Sequence, residues 1–204
     1  MKANATLAIV GQAATLVPYR PAHVDTYHGW MQGAHLQEMT ASEPLSIEEE
    51  REMCATWARD EDKLTFIVLD RAAGPAGGAG AGAVGPRPGG GAMVGDVNLF
   101  RLGADVAEAA EVEVMVAVAP RRRCGLGREA VLLMLHYAVH DLKRELFVAK
   151  VLEHNAPSLA FFAKLGFLEA RRVPVFREVH LEATAAELRP ALDAAAALAS
   201  RQEC

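Results

Sequence analysis

The chain has 204 residues, 51% of them hydrophobic and 23% charged, enough to bury one substantial core. Its formal net charge of -5 argues against a general nucleic-acid binder, which needs excess positive charge to displace counterions from phosphates. The three cysteines, Cys54, Cys124 and Cys204, are odd in number and lack metal-ligand spacing, so they point to neither a disulfide framework nor a zinc site and fit a reducing compartment.

The apolar run from Ala5 to Val10 is broken by Gly11 and Gln12 before a signal-peptide core develops. No uncharged apolar stretch reaches the roughly 18 residues of a membrane-spanning helix, so a cytoplasmic protein without a membrane partner is expected. LVPYR, Leu16 to Arg20, reads as a short edge strand ended by Pro21. Val24, Tyr27, Trp30 and Met31 follow at helical spacing. Ser46 and Glu49 then make a capping-box pattern before a second helix, IEEEREMCATWARD.

Leu64 to Asp70 and Met93 to Phe100 read as an antiparallel pair of strands. The Gly/Ala/Pro-rich insert at 72–92 has no periodic apolar face, lacks the helix and Gly-Lys-Ser/Thr ending of a phosphate loop, and is expected to be a mobile hairpin tip. Glu111 to Pro120 alternates strictly, with Glu111, Glu113, Met115 and Ala117 on one face and four valines on the other. After it, REAVLLMLHYAVHDL predicts a deeply packed helix. Leu146 to Leu152 reads as a strand, NAPSLAFFAKLGF as a helix stopped by Gly166, and Val175 to Leu181 as the last strand. The Ala-rich tail, 183–204, is expected to be helical and split in two at Pro190. These elements predict a mixed α/β (α+β) fold around one largely antiparallel sheet, a single domain over 1–182 followed by the tail.

RRRCGLGREAVLLML, Arg121 to Leu135, stands between the clearest strand and the longest helix. A glycine-rich turn there frees backbone N–H groups at the helix's first turn, where the macrodipole also favours anions. Gly125 and Gly127 carry no Cβ to obstruct a phosphate, and Arg122, Arg123 and Arg128 add positive charge. A pyrophosphate is the natural ligand of such a place. Cys124 is read as a loop residue, and the triple arginine is short for a nuclear signal.

The pattern R-x-x-G-x-G, Arg122 to Gly127, resembles the acetyl-coenzyme A pyrophosphate loop of the GCN5-related N-acetyltransferases (GNAT). Asn155-Ala156-Pro157-Ser158 through Lys164-Leu165-Gly166-Phe167 resembles that family's second signature. LVPYRPAHVDTYHGWM, TASEPLSIEEE, FIVLD and MVGDVNLF are similar to its eukaryotic N-acetyltransferase 9-like branch, near the bacterial ribosomal-protein acetyltransferases. The resemblance covers about Leu16 to Leu181 without the insert. It implies a sheet with a splayed strand and flanking helices, and acetyl transfer from acetyl-CoA to a primary amine of a protein or peptide, an N-terminal α-amine or a lysine.

It further implies that Met115, Val116 and Ala117 lie beside the pantetheine arm. Arg122, Arg123, Cys124, Gly125, Leu126, Gly127 and Arg128 would hold the pyrophosphate, with Asn155, Ser158 and Phe162 completing the cofactor site. Glu113 would be the base, directly or through water, with Glu111 beside it about 7 Å away by strand rise; both could equally be solvated strand residues. Phe162 stands where the family usually has a proton-donating tyrosine, so Ser158 is the available acid; a plain helix residue is the alternative. Tyr19, His23 and Tyr27 fall where the family's acceptor pocket lies. A non-catalytic interaction module that keeps the fold is the rival reading. His136 and His140 are at metal-binding i, i+4 spacing but show no third ligand in sequence, so no metal is expected.

Overall fold

The computed structural model describes residues 2–73, 91–103 and 108–204. Among these residues nine strands form one sheet: β1 (Leu7–Val10), β2 (Ala14–Pro18), β3 (Lys63–Asp70), β4 (Ala92–Arg101), β5 (Ala109–Val116), β6 (Leu146–Leu152), β7 (Leu168–Val173), β8 (Glu178–Thr184) and β9 (Ser200–Glu203). Their spatial order is β7-β8-β6-β5-β4-β3-β2-β1-β9. Every neighbouring pair is antiparallel except β5 and β6. Among the described residues six α-helices flank the sheet: α1 (Val24–Met31), α2 (Ala34–Met39), α3 (Ile47–Trp57), α4 (Leu126–His140), α5 (Ala156–Leu165) and α6 (Ala185–Ala196). The mixed α/β, largely antiparallel architecture expected from the pattern of elements is the one found.

Alternation along the strands gives each face of the sheet its own core. In β3, Leu64, Phe66 and Val68 join the larger core with α4, α5 and α6, while Ile67 and Leu69 join the smaller one with α1 and α3. Helix α4 is apolar nearly all round because the sheet covers one side and α6 another; Val131, Leu132, Leu133, Met134 and Leu135 are all buried. At α3 the capping box forms as its sequence predicts. The Glu49 N–H donates to Ser46 Oγ (3.2 Å), and the Ser46 N–H donates to Glu49 Oε2 (2.8 Å).

Several expectations are corrected. β2 is not an edge strand, because β1 pairs along its outer side and β9 pairs beyond β1; both strands have only four residues, too few for alternation to show. The segment from Val175 to Leu181 is not one strand. Val175 and Phe176 form an exposed turn between β7 and β8, and β7, LEARRV, is solvent-facing and carries no apolar alternation. Pro190 does not split the tail, since α6 runs unbroken from Ala185 to Ala196 and buries Leu188 and Leu192 in the larger core. Between α1 and α3 the chain makes the short helix α2, which has no buried residue to mark it. Most of the Gly/Ala/Pro-rich insert, expected to be a mobile tip, lies at 74–90, outside the described residues.

Candidate active site

β5 and β6 part. They pair only from Ala109–Leu146 to Glu111–Val148; beyond that β5 stays with β4 as far as Val116, and β6 stays with β8 as far as Leu152. The Ala117 N–H donates to Val94 O, so the alternation of an antiparallel ladder turns the backbone groups of Glu111, Glu113 and Met115 toward β4 as well. Those of Val114 and Val116 consequently face the fork. At its vertex Lys150 Nζ lies 2.6 Å from Glu111 Oε2.

At the C-terminal end of β5 the chain turns into α4. Gly125 is the N-cap in a left-handed conformation (φ 85°), and no side chain caps the helix, so the first-turn N–H groups of Leu126, Gly127 and Arg128 are open to an anion. The two glycines act differently from each other. A Cβ on Gly125 would meet nothing, and its role is the positive φ. A Cβ on Gly127 would come within 3.3 Å of Val116 Cγ2, so this glycine seats α4 close against β5.

The arginines divide likewise. Arg121 pairs with buried Asp70, and Arg122 donates from Nε to Val116 O (2.8 Å) and from Nη2 to Ala117 O (3.3 Å), pinning the turn. Arg123 and Arg128 are exposed and have no ion pair among the described residues. Cys124 is exposed, its Sγ near the carbonyl oxygens of Arg122 and Pro120. One turn into α4, the Glu129 carboxylate accepts the N–H groups of Gln12, Ala13 and Ala14 at 2.5–2.9 Å, tying the helix to the β1–β2 turn.

Toward α1 and α3 the fork opens into a cavity of about 380 Å³. Of the residues singled out in the sequence, Tyr27, Glu111, Glu113, Met115, Asn155, Ser158 and Phe162 line it, and Tyr19 and His23 do not. Tyr19 is buried against Tyr27 and Trp57; buried His23 takes the Arg20 N–H on Nδ1 (3.0 Å). Asn155 caps α5, its Oδ1 accepting the Ser158 N–H at 3.2 Å. Phe162 is buried edge-on against Phe161 and Phe167.

The cavity wall also carries a polar cluster, backed by Thr65, of which sequence reasoning found only Tyr27. Thr65 Oγ1 donates to Asn98 Oδ1 (2.6 Å), Asn98 Nδ2 donates to Asp96 Oδ2 (2.8 Å), and the Tyr27 hydroxyl donates to the same oxygen (3.3 Å). Asp96 Oδ1 is buried and has no hydrogen-bond partner among the described residues. Lys63 Nζ sits over the Trp57 ring, 2.9 Å from its centroid. Burial pushes the Asp96 carboxyl up to about 6, although Asn98, Lys63 and Tyr27 act in the other direction.

Burial lowers Lys63 to about 8, against the pull of Asp96 and Glu113. Glu113 stands open to the cavity, yet the surrounding walls, and after them the Glu111 charge, push its carboxyl up to about 7, with Lys63 as the main opposing influence. Six carboxylates line the cavity (Glu43, Glu50, Asp96, Glu111, Glu113, Glu178) against two lysines, a balance suited to a cationic guest. One signal could have revealed part of the cluster: Asp96 and Asn98 interrupt an apolar strand at period two, which places both on one face.

The acetyltransferase (GNAT) domain family model matches residues 14–168. An N-acetyltransferase 9-like protein of Nematostella vectensis is 42% identical over 182 residues, covering 89% of this chain and 88% of its own. The alpha/beta-tubulin-N-acetyltransferase 9 of Mus musculus is 43% identical over 188 residues (92% and 75%), and its Drosophila melanogaster counterpart is 44% identical over 186 residues (89% and 88%). Among solved structures, a Vibrio cholerae spermidine N-acetyltransferase in complex with CoA and spermine superposes with a TM-score of 0.70 at 16% identity, over 87% of this chain and 98% of that one.

Proposed function

The chain belongs to the GNAT acetyltransferase family and is an N-acetyltransferase; we propose that it moves acetyl from acetyl-CoA to a primary amine of a tubulin-like protein, at the fork between β5 and β6. The observation that carries this reading is the continuity of the fork with an anion cradle at one end and an acidic cavity at the other. The open N–H groups at Leu126, Gly127 and Arg128, with Arg123 and Arg128, suit a pyrophosphate. The backbone of Val114 and the N–H of Val116, which face the fork, suit the amide-bearing arm, while the Val116 carbonyl is held by Arg122. Val114 was not among the residues chosen from sequence, whereas Met115, which was, turns its backbone toward β4, as does the N–H of Ala117.

An amine enters the cavity protonated and must lose that proton before it can attack. Glu113, pushed up to about 7, is matched to take it near neutral pH. Asp96, with one oxygen unpartnered among the described residues, and the other carboxylates favour the ammonium's entry. The nitrogen lone pair then bonds to the thioester carbonyl carbon, the carbon–sulfur bond breaks, and the departing thiolate takes a proton from the Ser158 hydroxyl, which regains one from the surplus proton on the attacking nitrogen, so that an amide and a free thiol leave and Ser158 is restored. Glu111, held by Lys150, fixes the vertex of the fork and raises Glu113.

The acceptor named for the mouse and fly relatives is tubulin, so the test uses tubulin peptides. Coenzyme A release is measured with peptides carrying a free α-amine and no lysine, and with N-terminally blocked peptides carrying a lysine. Turnover of the first set alone assigns the α-amine, and turnover of the second alone assigns the lysine. No release from either set, despite acetyl-CoA binding, would overturn the proposed acceptor class.

A further inference from the structure

We propose that His136 and His140 of α4 and Asp193 of α6 form a divalent transition-metal site that fastens the C-terminal helix to the helix behind the anion cradle. The two histidines share a helix face at i, i+4, their ring centroids 4.2 Å apart. The third ligand missing from the sequence pattern comes from a different element: Asp193 Oδ1 lies 4.0 Å from His140 Nε2. One donor atom from each of the three residues lies within 4.8 Å of the others.

Donors bound tetrahedrally to zinc at about 2.0–2.2 Å are about 3.4 Å apart, so small side-chain rotations close the set. Two imidazoles and a carboxylate suit zinc, nickel, cobalt or copper over magnesium or calcium. Exposure of His140 and Asp193 leaves room for a water at the fourth position. The cation facing the set, Arg201, is itself paired with a carboxylate. Arg201, which faces His136, is held by Asp141 through two bonds of 2.7 and 2.6 Å, and that carboxylate also faces both histidines.

The placement has a mechanical reason. Pro190 deprives α6 of one backbone donor in its middle, and Asp193 stands on the turn beyond it, leading to β9. A metal there ties the weakened half of α6 to α4, whose first turn forms the cradle.

The test uses the full chain freed of metal with a chelator, followed by titration with Zn²⁺ and thermal melting, with Mg²⁺ as control. Saturable one-to-one Zn²⁺ binding is expected, with a rise in Tm of about 5 °C at a hundredfold excess over the Kd and no response to Mg²⁺. His140→Asn and Asp193→Asn should each weaken binding by at least about tenfold, and the double variant His136→Asn/His140→Asn should abolish the Tm rise. All three should still bind acetyl-CoA, which shows that they are folded and separates this site from the acetyl-transfer reading. A Zn²⁺-induced rise that persists in the double variant, or the absence of saturable binding by the unaltered chain, would overturn the proposal.

Discussion

Glu113 differs from its neighbour Glu111 by two residues and by what each meets. Glu111 is paired with Lys150 at the vertex, and Glu113 stands beyond it with carboxylates close by and Lys63 as its counterweight. Strand alternation brings both glutamates to one face and is legible in the sequence; Lys63 and Asp96, which set the electrostatics, come from strands distant in sequence and were not. Since Lys63 holds Glu113 down, Lys63→Met should move the acidic limb of the pH–rate profile to higher pH, and an unmoved limb would separate the two groups. Ser158→Ala should lower kcat by about 10²-fold with acetyl-CoA affinity nearly intact, as read by calorimetry; an unchanged kcat would remove Ser158 from the reaction. Of the acceptor residues chosen from sequence, only Tyr27 reaches the cavity. Tyr19 and His23 are adjacent to it in sequence but turn into packing, which a sequence pattern cannot register.

The turn from β5 into α4 is the element most fully legible beforehand, because strict alternation, two glycines and a long apolar helix are all local signals. What was not local is the division of labour inside it. Arg122 appears in sequence as a free cation for a phosphate, but it holds the Val116 carbonyl, and Arg121 before it answers Asp70. Gly127 appears as clearance for a ligand but lies against Val116. Gly125→Val and Gly127→Val should therefore differ. The first strains a left-handed residue in open space, so its main expected effect is weaker acetyl-CoA binding, with a small loss of Tm. The second pushes α4 from β5 and should lower both affinity and Tm. Equal melting losses in the two variants would contradict this assignment.

Over the whole molecule, the two cores and the fork belong to one sheet, and the C-terminal segment is part of that structure. α6 places Leu188 and Leu192 in the larger core and β9 closes the edge beside β1, although composition alone presents 183–204 as a helical tail. Leu192→Ala should cost about 2–5 kcal/mol, as deep leucine truncations do, lowering Tm by about 2–4 °C for each kcal/mol; a change below 1 °C would make α6 an appendage. Glu113 has a stability consequence as well. Its folded pKa, about 7, exceeds the ordinary 4.5, so between these values the folded state holds more protons than the unfolded one. The stability it contributes is full below about 4.5 and is lost as the pH rises through 7. Glu113→Gln should accordingly melt no lower than the parent at pH 8. The same variant provides the most direct measurement of the account: the rate of coenzyme A release with an amine peptide, followed from pH 6 to 9. The parent should show an acidic limb with a midpoint about 7, and Glu113→Gln should lose that limb and about 10²-fold or more in kcat while still binding acetyl-CoA. A variant that keeps the parent's rate and its limb would contradict the assignment of Glu113 as the base.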